Sequence, residues 1–149
     1  MESIKNLNIA NSYAEELYEI SEKCLPKGFK EAEVILKNYP LAEELGFDRD
    51  YVDSEECQNI FSGNKILQGS IPIAQGYSGH QFGHFNPQLG DGRAILLGEI
   101  NKMDIQLKGI GRTPYSRRGD GKSALGPVLR EYVISEFMHA SKIPTTRSL

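Results

Sequence analysis

The chain has 149 residues, 39% of them hydrophobic, with 17 Lys and Arg against 20 Asp and Glu for a formal net charge of −3. That length suits one domain of ordinary size with a core of its own. The acidic balance argues against a general nucleic-acid or membrane-surface protein, and no run approaches the ~20 apolar residues of a membrane span.

The first residues, Met1-Glu2-Ser3-Ile4-Lys5-Asn6, lack a signal peptide's apolar stretch, so the expected location is cytoplasmic. Asn11 or Ser12 can cap a first helix with Tyr13, Leu17 and Ile20 on one face, ended by Pro26 and Gly28. Residues 31–38 read equally as helix or strand. Pro40 opens a short helix through Leu41, Ala42 and Leu45 that Gly46 closes. Asp53 or Ser54 caps another, with Cys57, Ile60 and Phe61 as its buried positions and Gly63 as its stop. Cys24 and Cys57 share no metal-type spacing and are expected to be free thiols. This half carries no chemical signature and reads as packing and scaffold.

From Gly76 the chain turns rich in glycine and aromatics. Two strands follow, Arg93 to Ile100 and Met103 to Lys108, joined by Asn101-Lys102 as a hairpin. A polar loop from Gly109 to Gly126 leads to Pro127 in the first turn of a helix. Leu129, Tyr132 or Val133, Phe137 and Ala140 mark its apolar face, opposite Arg130, Glu131 and Ser135. The chain stops at Leu149, just as a new extended segment begins, an ending expected of a fragment.

The chemistry concentrates between residues 78 and 131. Two glycine turns, Gly90-Asp91-Gly92-Arg93 and Arg118-Gly119-Asp120-Gly121-Lys122, flank the strand that ends in Lys108. Backbone amides beside fixed cations are what a polyphosphate needs. Basic charge gathers in the same place: Lys102, Lys108, Arg112, Arg117, Arg118, Lys122 and Arg130 face only Asp104 and Asp120. Such a block is a local anion site or a solvated face. Neither turn is a GxGxxG or GxxxxGK[ST] motif, and Gly-Asp-Gly also occurs in ordinary hairpins. Asp120 can accept from a ribose, a loop amide or a neighbouring cation. Thr113-Pro114-Tyr115-Ser116 reads as a fixed turn, not as a reactive group.

A strand lysine paired with a helix glutamate is the device by which protein kinases hold nucleotide phosphates, and Lys108 with Glu131 stand in that order. The alternative is a solvent-facing lysine and one of many exposed helix glutamates. His80 and His84 stand four apart, but Gly79 and Gly83 oppose a helix there and a third metal ligand is wanting.

In order, Tyr77-Ser-Gly-His-Gln-Phe-Gly-His84, Gln88-Leu-Gly-Asp-Gly-Arg-Ala94, Gln106-Leu-Lys-Gly109, Arg112-Thr-Pro-Tyr-Ser-Arg117, Gly119-Asp-Gly121, Arg130-Glu131 and Ile143-Pro-Thr-Thr-Arg147 resemble the selenoprotein O (YdiU) family. The resemblance implies an α+β fold, with a helical N-terminal extension over 1–76 and an incomplete protein-kinase-like small lobe over 77–149, its antiparallel sheet carrying a glycine-rich loop and a C-helix. It implies an adenylyltransferase that binds ATP in a reversed orientation and transfers AMP to hydroxyl side chains of proteins. Gly90, Gly92 and Arg93 would form the nucleotide loop, Lys108 would contact phosphate with Glu131 as its partner, and Asp120 and Gly121 would make further ATP contacts. The catalytic base and the ligands of Mg²⁺ or Mn²⁺ would lie beyond Leu149. The fragment alone is then expected to be inactive, with an exposed apolar face where the rest of the protein docks. The competing reading is a stand-alone nucleotide- or phosphate-binding module. A nucleic-acid-binding domain using the basic block is the third, weakened by the acidic remainder.

Overall fold

The computed structural model describes residues 8–149; the first six residues, read above for a leader, lie outside the described residues. In chain order the elements are α1 (Ser12–Glu16), β1 (Ser21–Lys23), α2 (Tyr39–Leu45), α3 (Arg49–Val52), α4 (Glu55–Phe61), β2 (Ile73–Gln75), β3 (Gly79–Gln81), β4 (His84–Asn86), β5 (Ala94–Ile100), β6 (Met103–Lys108) and α5 (Leu125–Ala140). The fold is α+β. An antiparallel sheet runs in the order β1-β2-β5-β6, and β3 pairs with β4 as a separate hairpin.

The core lies between this sheet and α2–α4. From the sheet come Ile95, Leu97, Ile100, Ile105 and Leu107, and from the helices Leu41, Ala42, Leu45, Tyr51, Val52 and Ile60. β5 is buried along almost its whole length, whereas β6 alternates: Ile105 and Leu107 point inward while Asp104, Gln106 and Lys108 are exposed. That period of two puts Gln106 and Lys108 on one face.

The short helices are held by their ends. The Asn38 side chain accepts from the Leu41 amide (3.3 Å), Asp48 from Tyr51 (2.7 Å) and Ser54 from Cys57 (3.1 Å). Each cap of this kind is worth about 1 kcal/mol. Gly46 closes α2 in the left-handed conformation at φ 89°. α3 escaped the sequence reading because its four residues carry no period. At the β5–β6 turn Asn101 and Lys102 adopt φ 50° and 65°, and the Asn101 side chain donates to the Leu45 carbonyl (3.1 Å). This bond to α2 fixes a turn that Asn-Lys alone favours weakly.

Three expectations are corrected. The N-terminal helix is only α1, followed by a single 3-10 turn, because Ser21–Lys23 pair with β2 instead of continuing the helix. Ser12 begins this helix; Asn11 does not cap it, its side chain accepting from the Ile71 amide (2.8 Å) and donating to the Gly69 carbonyl (2.8 Å). Residues 31–38 form neither helix nor strand, and Val34, Ile35 and Leu36 stay exposed.

α5 begins near Pro127 as expected, but its packing is reversed. Its buried residue is Ser135, from the side read as polar, while Val133, Ile134 and Phe137 are exposed, Phe137 by 64%. The sequence led us to expect an exposed apolar face where the rest of the protein docks, without assigning it to an element; α5 carries one. Cys24 and Cys57 are free and buried, and burial pushes the Cys57 thiol up to about 11. No helix among the described residues is long and apolar enough to cross a membrane.

Candidate functional site

A cleft of about 650 Å³ opens between the two glycine turns, and Lys108 at the end of β6 forms part of its wall. Gly90, Gly92, Arg93, Lys108, Asp120 and Gly121, all singled out by sequence, line it together. Glu131, one turn and a half into α5, accepts from the Lys108 ammonium with both carboxylate oxygens at 2.7 and 2.9 Å. Both side chains are about half exposed. An exposed pair of this kind contributes only about 0–1 kcal/mol to stability, so its consequence is positional. It holds the ammonium at the cleft wall.

The first turn is built around Asp91, a buried carboxylate. It accepts from the Gln75 amide (3.2 Å), the Tyr77 hydroxyl (3.2 Å) and the Gln106 side-chain amide (3.3 Å). Burial raises its pKa above the ordinary aspartate value, opposed by the Gln75 and Tyr77 hydrogen bonds. Behind the turn, the Thr113 hydroxyl donates to the Asp91 carbonyl (2.5 Å) and the Ser116 hydroxyl to the Gly92 carbonyl (2.6 Å). The segment 113–116 is a turn, closed by the Ser116 amide donating to the Thr113 carbonyl (3.1 Å), as its sequence suggested; its role as a staple on the first glycine turn is seen only in the structure.

The glycines answer to closeness of packing. Gly90 has φ +61°, and a Cβ there would stand 2.3 Å from the Tyr115 ring. Gly121 has φ +71°, and its Cβ would fall 1.9 Å from the Gly111 carbonyl oxygen. Neither position accepts a side chain without moving backbone or ring. One expectation changes here. The amides of Leu89 and Gly90 donate to the Tyr77 carbonyl and that of Asp91 to Gln75, so these N–H groups serve the turn and are not bare. In the second turn Asp120 takes the loop-amide option, accepting from Lys122 N–H at 2.9 Å.

Positive charge is supplied by side chains. Arg93, Lys108, Arg117 and Lys122 line the cleft, and the carboxylates that share it, Asp91 and Asp120, are already hydrogen-bonded. Arg117 donates to Gln81 on β3 (3.2 Å), which brings the β3–β4 hairpin to the cleft rim. The tip of that hairpin, Phe82, is 92% exposed. Tyr77, Gln106 and Tyr115 were not singled out by sequence. Gln106 was within reach of the period-two pattern it shares with Lys108; Tyr77 and Tyr115 were visible only as members of the motifs that carry the resemblance, with no role attached.

A polyphosphate fits this donor set: several cations, an open volume and turns kept free of Cβ atoms. A divalent metal does not. Among the described residues no group of three or more His, Cys, Asp or Glu side chains is placed to hold one, and His80 packs against Phe85 across β3 and β4.

The chain is similar to curated proteins named protein nucleotidyltransferase YdiU. It is 53% identical to that of Anoxybacillus flavithermus over 97% of this chain and 31% of the relative. It is 56% identical to that of Clostridium beijerinckii over 93% of this chain and 29% of the relative, and 54% identical to that of Rhizobium meliloti with the same coverage. The chain thus spans about 30% of the length of these relatives. A sequence model of the family described as protein adenylyltransferase SelO matches residues 3–149, and the chain belongs to that family.

Proposed function

We propose that this chain is the nucleotide-binding part of an ATP-dependent protein adenylyltransferase. Residues 77–149 act as an incomplete kinase-like small lobe, and residues 1–76 as scaffold that contributes β1, β2 and the helices behind the sheet. The observation that carries the reading is the Lys108–Glu131 pair at the wall of a cationic cleft, reached in the order glycine turn, β5, β6, α5. Membership of an adenylyltransferase family supports it.

ATP enters with its phosphates toward Arg93 and Lys108, beside Gly90 and Gly92, and with Asp120 and Gly121 making further contacts. A protein hydroxyl oxygen bonds to the α-phosphorus, the bond from that phosphorus to the α,β-bridging oxygen breaks, and pyrophosphate leaves. Lys108 and Arg93 stabilise the charge that builds on the phosphate oxygens. The proton of the hydroxyl needs a base. The cleft carboxylates are poor candidates, because Asp91 already accepts from three donors and Asp120 from a loop amide. We therefore read this stretch as able to bind nucleotide and unable to turn it over alone. The base and the ligands of Mg²⁺ or Mn²⁺ would come from the part that longer relatives have, docked on the exposed face of α5.

The test uses the full-length protein with Mg²⁺ or Mn²⁺ and ATP labelled at either the α- or the γ-phosphate. The α-label is expected on protein and lost in Lys108→Ala. Transfer of the γ-label alone would make the protein an ordinary kinase; binding without any transfer would favour a stand-alone nucleotide-binding module.

A further inference from the structure

α5 carries Glu131 to Lys108, yet it hardly packs on the rest of the molecule: among its residues Ser135 is the one that is buried. Something else must set its position. After α5 the chain reverses at Lys142, whose φ is +60°, and residues 144–149 run back toward α2. Arg147 lies in this return, with a side chain only 11% exposed. Its Nε and Nη2 donate to the two carboxylate oxygens of Glu136 on α5, at 2.9 and 3.0 Å. Its Nη1 donates to Glu44 on α2, at 3.1 and 3.2 Å. Next to it the Asn38 side chain, which caps α2, donates to the Ser148 carbonyl (3.0 Å).

α2 is anchored in the core through Leu41, Ala42 and Leu45. A continuous path therefore runs from the core through Glu44 and Arg147 to Glu136, along α5 to Glu131, and on to Lys108. Five residues separate Glu136 from Glu131, about 7.5 Å along the helix and about 140° around it. The clip and the Lys108 pair thus hold α5 from different sides. A planar guanidinium suits the task because it can fork onto one carboxylate while reaching a second, which an ammonium cannot do with the same rigidity.

We propose that Arg147 is a positioning residue that sets α5, and through Glu131 sets Lys108, for nucleotide binding. The proposal rests on the reading of the cleft given above.

The test is a double-mutant cycle in the full-length protein, with ATP affinity measured by calorimetry and AMP transfer measured as kcat and KM. Arg147→Met is expected to weaken ATP binding roughly tenfold and to add little in a Glu131→Gln background, since both changes act through one lysine. Arg147→Lys should recover only part of the loss. If Arg147→Met does not fold, Glu44→Gln, which removes one arm at a more exposed site, should show the same non-additivity at smaller size. Unchanged ATP affinity in the Arg147 or Glu44 variants, or losses that add fully to that of Glu131→Gln, would overturn the proposal while leaving the cleft reading intact. ATP binding undiminished by Glu131→Gln would overturn the cleft reading, and the role of Arg147 with it.

Discussion

Around Ile95 the protein is held by apolar burial, with β5 and β6 covered by α2–α4 and their inward side chains shut away from water. Around Asp91 it is held by hydrogen bonds and by the absence of side chains: one carboxylate gathers Gln75, Tyr77 and Gln106, two hydroxyls staple the turn, and Gly90 and Gly121 leave room for what presses on them. α5 depends on neither device and is held chiefly by charged contacts. The difference separates stability from site geometry. Burial contributes in proportion to area and fades gradually as atoms are removed. A turn that closes by the contact of two backbones has no such margin.

The largest expected effect breaks the comparison from the cleft side. Gly121→Ala drives a Cβ against the Gly111 carbonyl and should raise the ATP dissociation constant of the full-length protein at least tenfold, while local strain lowers stability by roughly 1–3 kcal/mol. Ile95→Ala should do the converse, removing about 2–5 kcal/mol of stability and leaving the ATP affinity of folded molecules unchanged. Denaturant titration with calorimetry on the same samples checks both. Equal effects of the two substitutions on ATP affinity would mean that site and core are not separable.

A smaller effect concerns the clip. Its hydrogen bond to Arg147 holds the Glu136 carboxyl below the ordinary value of 4.5. A carboxylate whose pKa is depressed in the folded state stabilises fully above its unfolded value and loses that contribution as the pH falls through the folded one. Glu136→Gln should therefore be less stable than the parent at neutral pH, by about 0.5–1 kcal/mol for a pair still partly open to solvent. The gap should close as the pH drops below 4.5. Thermal unfolding of the two proteins from pH 7 to pH 3.5 reads this directly. A constant gap would show that Glu136 contributes by something other than its charge.

Legibility in the sequence follows the same division. The β5–β6 hairpin, α2 and α4 could be read because their caps, turns and periods lie within a few neighbouring residues. Cleft positions announced themselves where composition was odd, in Gly-Asp-Gly and in the basic run around Lys108. Long-range pairing was not legible. Ser21–Lys23 become a strand only because β2 lies beside them, and the staple by Thr113 and Ser116 spans more than twenty residues of chain. The purpose of the glycines was misread in part, since Gly90 gives way to the Tyr115 ring and its amide is already engaged by Tyr77. Arg147 was visible as part of a motif, but its two carboxylate partners lie on different helices and no spacing could have joined them.

The most direct test of the central claim is a structure of the full-length protein with a non-hydrolysable ATP analogue. The account predicts phosphate oxygens within hydrogen-bond distance of Arg93 and Lys108, beside Gly92, with the Lys108–Glu131 pair intact. A triphosphate bound elsewhere, or Lys108 turned away from it with Glu131 unpaired, would contradict the account.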